Sequence, residues 1–191
     1  MEKVRTFFFF IIVILAFPFS FAGAEELTVQ FVDHSYEGNS IETDFSIVGD
    51  ISNDTVDAIQ NGITAKFFIT FQISSSARFI GRSRNTFREL SESFNISYDV
   101  WENAFILEDN NRMNYHTVRG YGNIIRTMNK AINPLILDIT GFEPAEQVYL
   151  RAKIKIQTIR LFPPFGIFLL FFDPWNFESR WIQTEVKVQN M

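Results

Sequence analysis

From Ile63 to Ile73 every odd-numbered residue is apolar: Ile63, Ala65, Phe67, Ile69, Phe71 and Ile73. A period of two held over this length describes a strand with one dry face. A dry face needs cover, so the chain must build a second layer. The same alternation recurs at Leu27, Val29 and Phe31, and again at Ile41, Thr43, Phe45 and Ile47. It returns at Phe94, Ile96 and Tyr98, then at Val148, Leu150, Ala152, Ile154 and Ile156, with a last strand from about Phe177 to Val188. Ala104–Leu107 and Met113–Val118 flank Asp109-Asn110-Asn111-Arg112 as a hairpin. Ser74-Ser75-Ser76 and Gly81 read as a loop, and Glu89 and Glu92 as a bulge or an exposed extension of the next strand.

Two short segments change period. Ser52 caps a helix over Asn53 to about Gln60, with Asp54 in its first turn, an Ile51–Val56 staple and Gly62 at its end. Tyr121, Ile124, Ile125, Met128 and Ile132 form one helical stripe, stopped by Pro134. The expected fold is mainly β: an antiparallel β-sandwich of about seven or eight strands with two short helices. The alternative is an α+β arrangement, a curved antiparallel sheet packed on the Tyr121–Ile132 helix.

The first 24 residues read as an address. Lys3 and Arg5 precede an unbroken apolar run from Phe7 to Phe17, and Ala22-Gly23-Ala24 closes it. A basic start, a short apolar stretch and a small-x-small end describe a secretory signal peptide. The run is short for a bilayer span, which needs about 20 residues. The competing reading is retention as an N-terminal anchor. The expected organisation is a signal peptide over 1–24 and one mainly-β domain over 25–191. Cleavage after Ala24 places the remainder in the bacterial periplasm or cell envelope. The chain has no cysteine, so it holds together by packing alone, which suits that compartment better than a disulfide-dependent secreted module.

Composition removes several chemistries. Without cysteine there is no thiolate metal site, iron–sulfur cluster or thiol nucleophile. A net charge of -5 lacks the basic footprint of a nucleic-acid binder. No Ser-x-x-Lys, Gly-x-Ser-x-Gly, His-Glu-x-x-His or phosphate-binding glycine loop occurs. His34, in a polar turn, and His116, in a strand, are the two histidines available to a hydrolase, and both read first as structural or surface residues. Glu42 with Asp44 and Asp54 with Asp57 read as wet faces; Asp109-Asn110-Asn111 lacks the glycine and closing glutamate of a calcium loop. No metal, cofactor or catalytic residue is expected.

Two stretches depart from the background. Arg78, Arg82, Arg84 and Arg88 fall close together in an acidic protein, interleaved with Phe79, Ile80 and Phe87. Arginine forks suit phosphate or carboxylate groups. The competing reading is a solvated hairpin tip whose charges discourage edge pairing. Leu161 to Phe172 carries no charge and five phenylalanines where a connection should be polar. It reads as a lid over the core, as an interfacial membrane contact aided by Arg160 and Trp175, or as a docking site. Phe165, Ile167, Phe168, Leu170 and Phe171 would make the apolar contact.

The order of the pieces resembles a known family. A helix ending in Asn61-Gly62-Ile63 runs into Thr64-Ala65-Lys66-Phe67-Phe68-Ile69-Thr70-Phe71, and a hairpin rich in arginine and aromatics follows. Phe94-Asn95-Ile96-Ser97-Tyr98-Asp99, Val148-Tyr149-Leu150-Arg151-Ala152-Lys153-Ile154 and Trp175-Asn176-Phe177-Glu178-Ser179-Arg180-Trp181 complete the pattern. This resembles the bacterial exported family called domain of unknown function 4390 (DUF4390), across nearly the whole chain after Ala24. Ser74-Ser75-Ser76 and the Phe-rich stretch depart from that pattern. The resemblance carries no catalytic residues and implies an envelope adaptor beside a membrane protein such as a sensor kinase. The expected role is a non-catalytic envelope binding protein contacting a membrane protein or the membrane surface; a carrier for an apolar ligand or lipid is the second expectation.

Overall fold

The computed structural model describes residues 27–79, 82–142, 147–159 and 176–186, with the backbone alone at 75–79, 82–86, 147 and 159. Ten strands and two helices occur among them. The small sheet holds β1 (Thr28–Glu37), β2 (Ser40–Val48) and β7 (Leu135–Asp138), in the order β1-β2-β7. The large sheet holds β3 (Thr64–Phe79), β4 (Arg82–Asp99), β5 (Ala104–Asp109), β6 (Asn114–Val118), β8 (Gln147–Ile159), β9 (Phe177–Glu178) and β10 (Ile182–Val186). Its order is β10-β8-β3-β4-β5-β6, with β9 also on β8, and every pair is antiparallel. The sandwich is therefore richer in strands than the seven or eight expected.

Burial follows the alternation. Ala65, Phe67, Ile69, Phe71 and Ile73 of β3 face Val148–Ile156 alternates on one side and Phe94 and Ile96 on the other, all buried. The small sheet covers them with Leu27, Val29, Ile41, Phe45 and Ile47. Phe45 meets Phe71 edge to face at 4.8 Å between centroids, which ties the two layers at mid-sheet.

Helix α1 (Asn53–Gln60) forms as its caps dictate. Ser52 Oγ accepts the Thr55 N–H at 3.2 Å, Ile51 and Val56 are buried, and Gly62 takes φ +91° just past the end. Tyr121–Asn123 is a 3-10 turn, so helix α2 begins only at Ile124 and runs to Ile132; Tyr121 lies exposed rather than on the buried stripe. Helix α2 buries Ile124, Met128 and Ile132. Its Asn129 and the following Asn133 reach β2 where β7 has stopped. Asn133 bonds both the N–H (3.2 Å) and C=O (2.6 Å) of Phe45, and Asn129 those of Ile47 (2.9 and 3.3 Å). Two amide side chains thus do the work of a missing strand.

Three expectations need correction. Ser74–Ser76 is not loop: β3 runs on to Phe79, because β4 pairs with it residue for residue as far as Phe79↔Arg82. Of the two readings of Glu89 and Glu92 the bulge fails, since that register is unbroken; the exposed extension holds for Glu89, whereas Glu92 is buried. The last strand is interrupted, β9 and β10 being separated by Ser179-Arg180-Trp181, where the Ser179 N–H and Oγ bond the backbone of Ile154.

Candidate functional site

Register decides where the two unusual stretches lie. Ala65 pairs with Ile96 and with Thr158, and Thr64 pairs with Ile159. One end of the large sheet therefore carries the β4–β5 turn and the point where the chain leaves β8 toward residues 160–175. The chain returns at the same end: Asn176 Oδ1 accepts the Thr158 N–H at 3.3 Å, and Phe177 pairs with Ile156. Phe165, Ile167, Phe168, Leu170 and Phe171 themselves lie outside the described residues.

The opposite end carries the arginines. The last residue of β3 that β8 reaches is Ser76, paired with Gln147. Residues 77–79 and 82–84 pair only with each other among the described residues, so β3 and β4 leave the sheet as a two-stranded arm. At about 3.3 Å per residue, the 16 residues of β3 set the two ends about 50 Å apart. The apolar stretch and the arginine stretch are rooted at opposite poles.

The arginines do not form one cluster. Arg78 pairs with Ser83, Arg82 with Phe79, Arg84 with Ala77 and Arg88 with Ile73. Positions 82, 84 and 88 share one alternation of β4, and position 78 belongs to the other face of the ribbon. Arg88 is already engaged: its Nη2 donates to the Thr140 carbonyl at 3.2 Å. Nearby Asp138 has its carboxyl held below the ordinary value, first by the Thr140 hydroxyl and N–H, and less by the Arg88 charge.

The apolar pole presents a residue that hydropathy alone does not single out. The β4–β5 turn is Val100-Trp101-Glu102-Asn103. Asp99 Oδ1 accepts the N–H groups of Trp101 (2.8 Å) and Glu102 (3.2 Å), and the Tyr98 hydroxyl donates to Asn103 Oδ1. This bonding holds the turn while Trp101 stays 93% exposed and Val100 68%. Neither side chain is used by the core. The readable signal was an apolar pair inside an Asp–Asn turn, where polar residues are the rule.

A second feature escaped the sequence reading. Glu92 and Asp109, 5% and 0% exposed, lie on the dry face beside Phe94. Arg112 Nη1 reaches both, Glu92 Oε2 at 3.0 Å and Asp109 Oδ2 at 2.9 Å. Asp109 Oδ1 also accepts the N–H groups of Asn111 and Arg112, each at 3.0 Å, so the hairpin turn is closed from within. Burial raises the Glu92 carboxyl above its ordinary value; the Arg112 charge and hydrogen bonds oppose this, and Asp109 adds to it. The cluster seats the hairpin turn and leaves its carboxylates occupied.

The histidines stand on different sheets, His34 within β1 rather than in a turn, and His116 in β6. No cluster of metal-ligating side chains occurs among the described residues. Nor is any described helix long and apolar enough to cross a membrane. A cleft of about 1440 Å³ opens between Ile51, Tyr121 and Phe177, and Asp50, Asp54, Glu178 and Arg180 also line it. Those charges suit a polar solute better than a lipid chain.

The family model described as Domain of unknown function (DUF4390) matches residues 24–185, and the chain belongs to that family. No curated protein and no solved structure matches it.

Proposed function

We propose that this member of the DUF4390 family is an exported, non-catalytic adaptor of the bacterial cell envelope. It docks on the membrane surface by its apolar pole and turns its arginine arm toward a membrane-protein partner. The observation that carries this reading is the opposition of the two poles. Charge on the arm falls off over a Debye length of about 8 Å, far short of the length of β3. A surface touched at one pole therefore does not feel the other. The apolar pole offers a preorganised Trp101 beside Val100, and tryptophan is favoured at the boundary of headgroup and acyl chain. The roots of the stretch containing Phe165, Ile167, Phe168, Leu170 and Phe171 lie at the same pole. The basic, then apolar, pattern over residues 1–24 supports export.

Vesicle flotation tests it. The protein from Glu25 onward is expected to float with phosphatidylglycerol–phosphatidylethanolamine vesicles and to stay bound at about 1 M salt, where charge is screened within about 3 Å. Trp101→Ser combined with Val100→Ser is expected to lose flotation while keeping the fold. Absence of flotation at any salt, or flotation by the double variant equal to wild type, contradicts the reading.

A further inference from the structure

Among the described residues, nothing pairs with one backbone edge of the arm. Strand β3 pairs with β4 from Ile96 to Arg82, whereas β5 reaches only to Phe94 on the other side. The following turn closes two more residues. The Asn110 N–H and the Asn111 side-chain amide donate to the carbonyls of Ser93 and Ser91, at 3.0 and 2.9 Å, and Asn111 Oδ1 accepts the Ser93 N–H at 3.3 Å. Below Ser91, no described residue pairs with this edge. Main-chain groups of alternate residues point the same way along a strand. Ser83, Asn85, Phe87 and Glu89 therefore direct their N–H and C=O groups outward, as Ser91 and Ser93 do. Phe87 is 54% exposed, and Arg88 and Glu89 are exposed as well.

We propose that this edge binds an extended acidic segment of a partner protein by strand addition. The open main-chain groups supply the ladder, and the arm supplies the charge. Arg78, Arg82, Arg84 and Arg88 are gathered here in a chain whose net charge is -5. A strand laid along the edge has one row of its side chains beside positions 82, 84 and 88, and glutamate or aspartate in that row meets opposite charge. The preference rests on the charge at positions 82, 84 and 88 together, of which Arg88 also bonds the Thr140 carbonyl. A second copy of the chain would bring its own arginine row to the same edge, which cross-strand repulsion disfavours. An anionic lipid surface would meet the charge and leave the main-chain edge unpaired. This inference concerns the pole opposite Trp101 and does not depend on membrane docking.

The test uses the protein from Glu25 onward, free of vesicles, and an eight-residue peptide of alternating glutamate and valine. At saturation, amide exchange at Ser83, Asn85, Phe87 and Glu89 is expected to slow by about tenfold or more, with Arg84, Thr86, Arg88 and Leu90 unchanged because β3 already holds them. The same peptide N-methylated at alternate residues, and a lysine–valine version, are expected not to bind. Failure of the glutamate–valine peptide to bind, equal binding of the methylated peptide, or protection without the two-residue pattern overturns the proposal. So does a peptide-free dimer that protects the same four amides.

Discussion

Strands β2 and β4 each outlast the neighbour that shelters one of their edges, and the molecule treats the two differently. Where β7 ends, Asn133 and Asn129 take over both main-chain groups of Phe45 and Ile47, so the β2 edge is closed to its last buried residue. Where β5 ends, Asn110 and Asn111 close β4 at Ser93 and Ser91 and then stop. Among the described residues the fold thus caps a strand edge with side-chain amides at both places. The stretch of β4 beyond Ser91 is left out of both uses, and it is the stretch that carries the arginines. An edge left open among the described residues invites pairing with other chains. Charge is the standard protection, and here the same charge would select an acidic partner.

The comparison can be broken most severely at Arg112, whose hairpin turn also holds the β4 cap. Arg112→Ala removes the counter-charge of two buried carboxylates. It is expected to cost about 3 kcal/mol in urea unfolding, toward the lower end for such pairs because Arg112 itself is partly exposed. It should also speed amide exchange at Ser93. Next come Asn129→Ala and Asn133→Ala, which reopen the β2 edge and leave buried main-chain groups without partners. Each is expected to cost about 1–3 kcal/mol and to raise exchange at Ile47 or Phe45 respectively.

Glu92→Gln is expected to change stability by less than about 1 kcal/mol at neutral pH, since Arg112 keeps Asp109. Its signature is in the pH profile. Burial raises the folded Glu92 carboxyl, so its contribution to stability is complete below the ordinary glutamate range and declines as pH rises through the raised folded value. The glutamine variant should lose that decline, seen as urea midpoints measured from about pH 4 to pH 7. The smallest effect belongs to the open edge: Arg82→Ala with Arg84→Ala should alter stability by no more than about 0.5 kcal/mol. The same pair should weaken binding of the acidic peptide, which separates the arm's role from the fold's.

Much of this architecture was readable from period alone. The alternation of Ile63–Ile73 and Val148–Ile156 named two interior strands of the large sheet and their dry faces, and Ser52, Val56 and Gly62 bounded α1 correctly. The arginine hairpin was read, but its strands were not carried through Ser74–Arg84, which has no apolar alternation; its pairing rests on main-chain bonds, which leave no trace in hydropathy. Glu92 blurred the phase of β4 for a different reason. Its partner Arg112 is 20 residues away in sequence, so a buried charge looked like an exposed one. The Asn129 and Asn133 caps were likewise hidden, one polar residue on a helix and one just past its end, whose partners lie more than 80 positions earlier. At the candidate sites, the arginines were singled out and their split between ribbon faces was not. Trp101 went unmarked because one aromatic in a turn carries no period.

Per-residue amide exchange with and without phosphatidylglycerol vesicles tests the two-pole arrangement most directly. New protection is expected at Trp101–Asn103 and at the roots of the 160–175 stretch, with Ser83, Asn85, Phe87 and Glu89 exchanging as fast as in the free protein. Vesicle-induced protection confined to those four arm residues, with the Trp101 turn unchanged, would contradict it and move the membrane contact to the arginine arm.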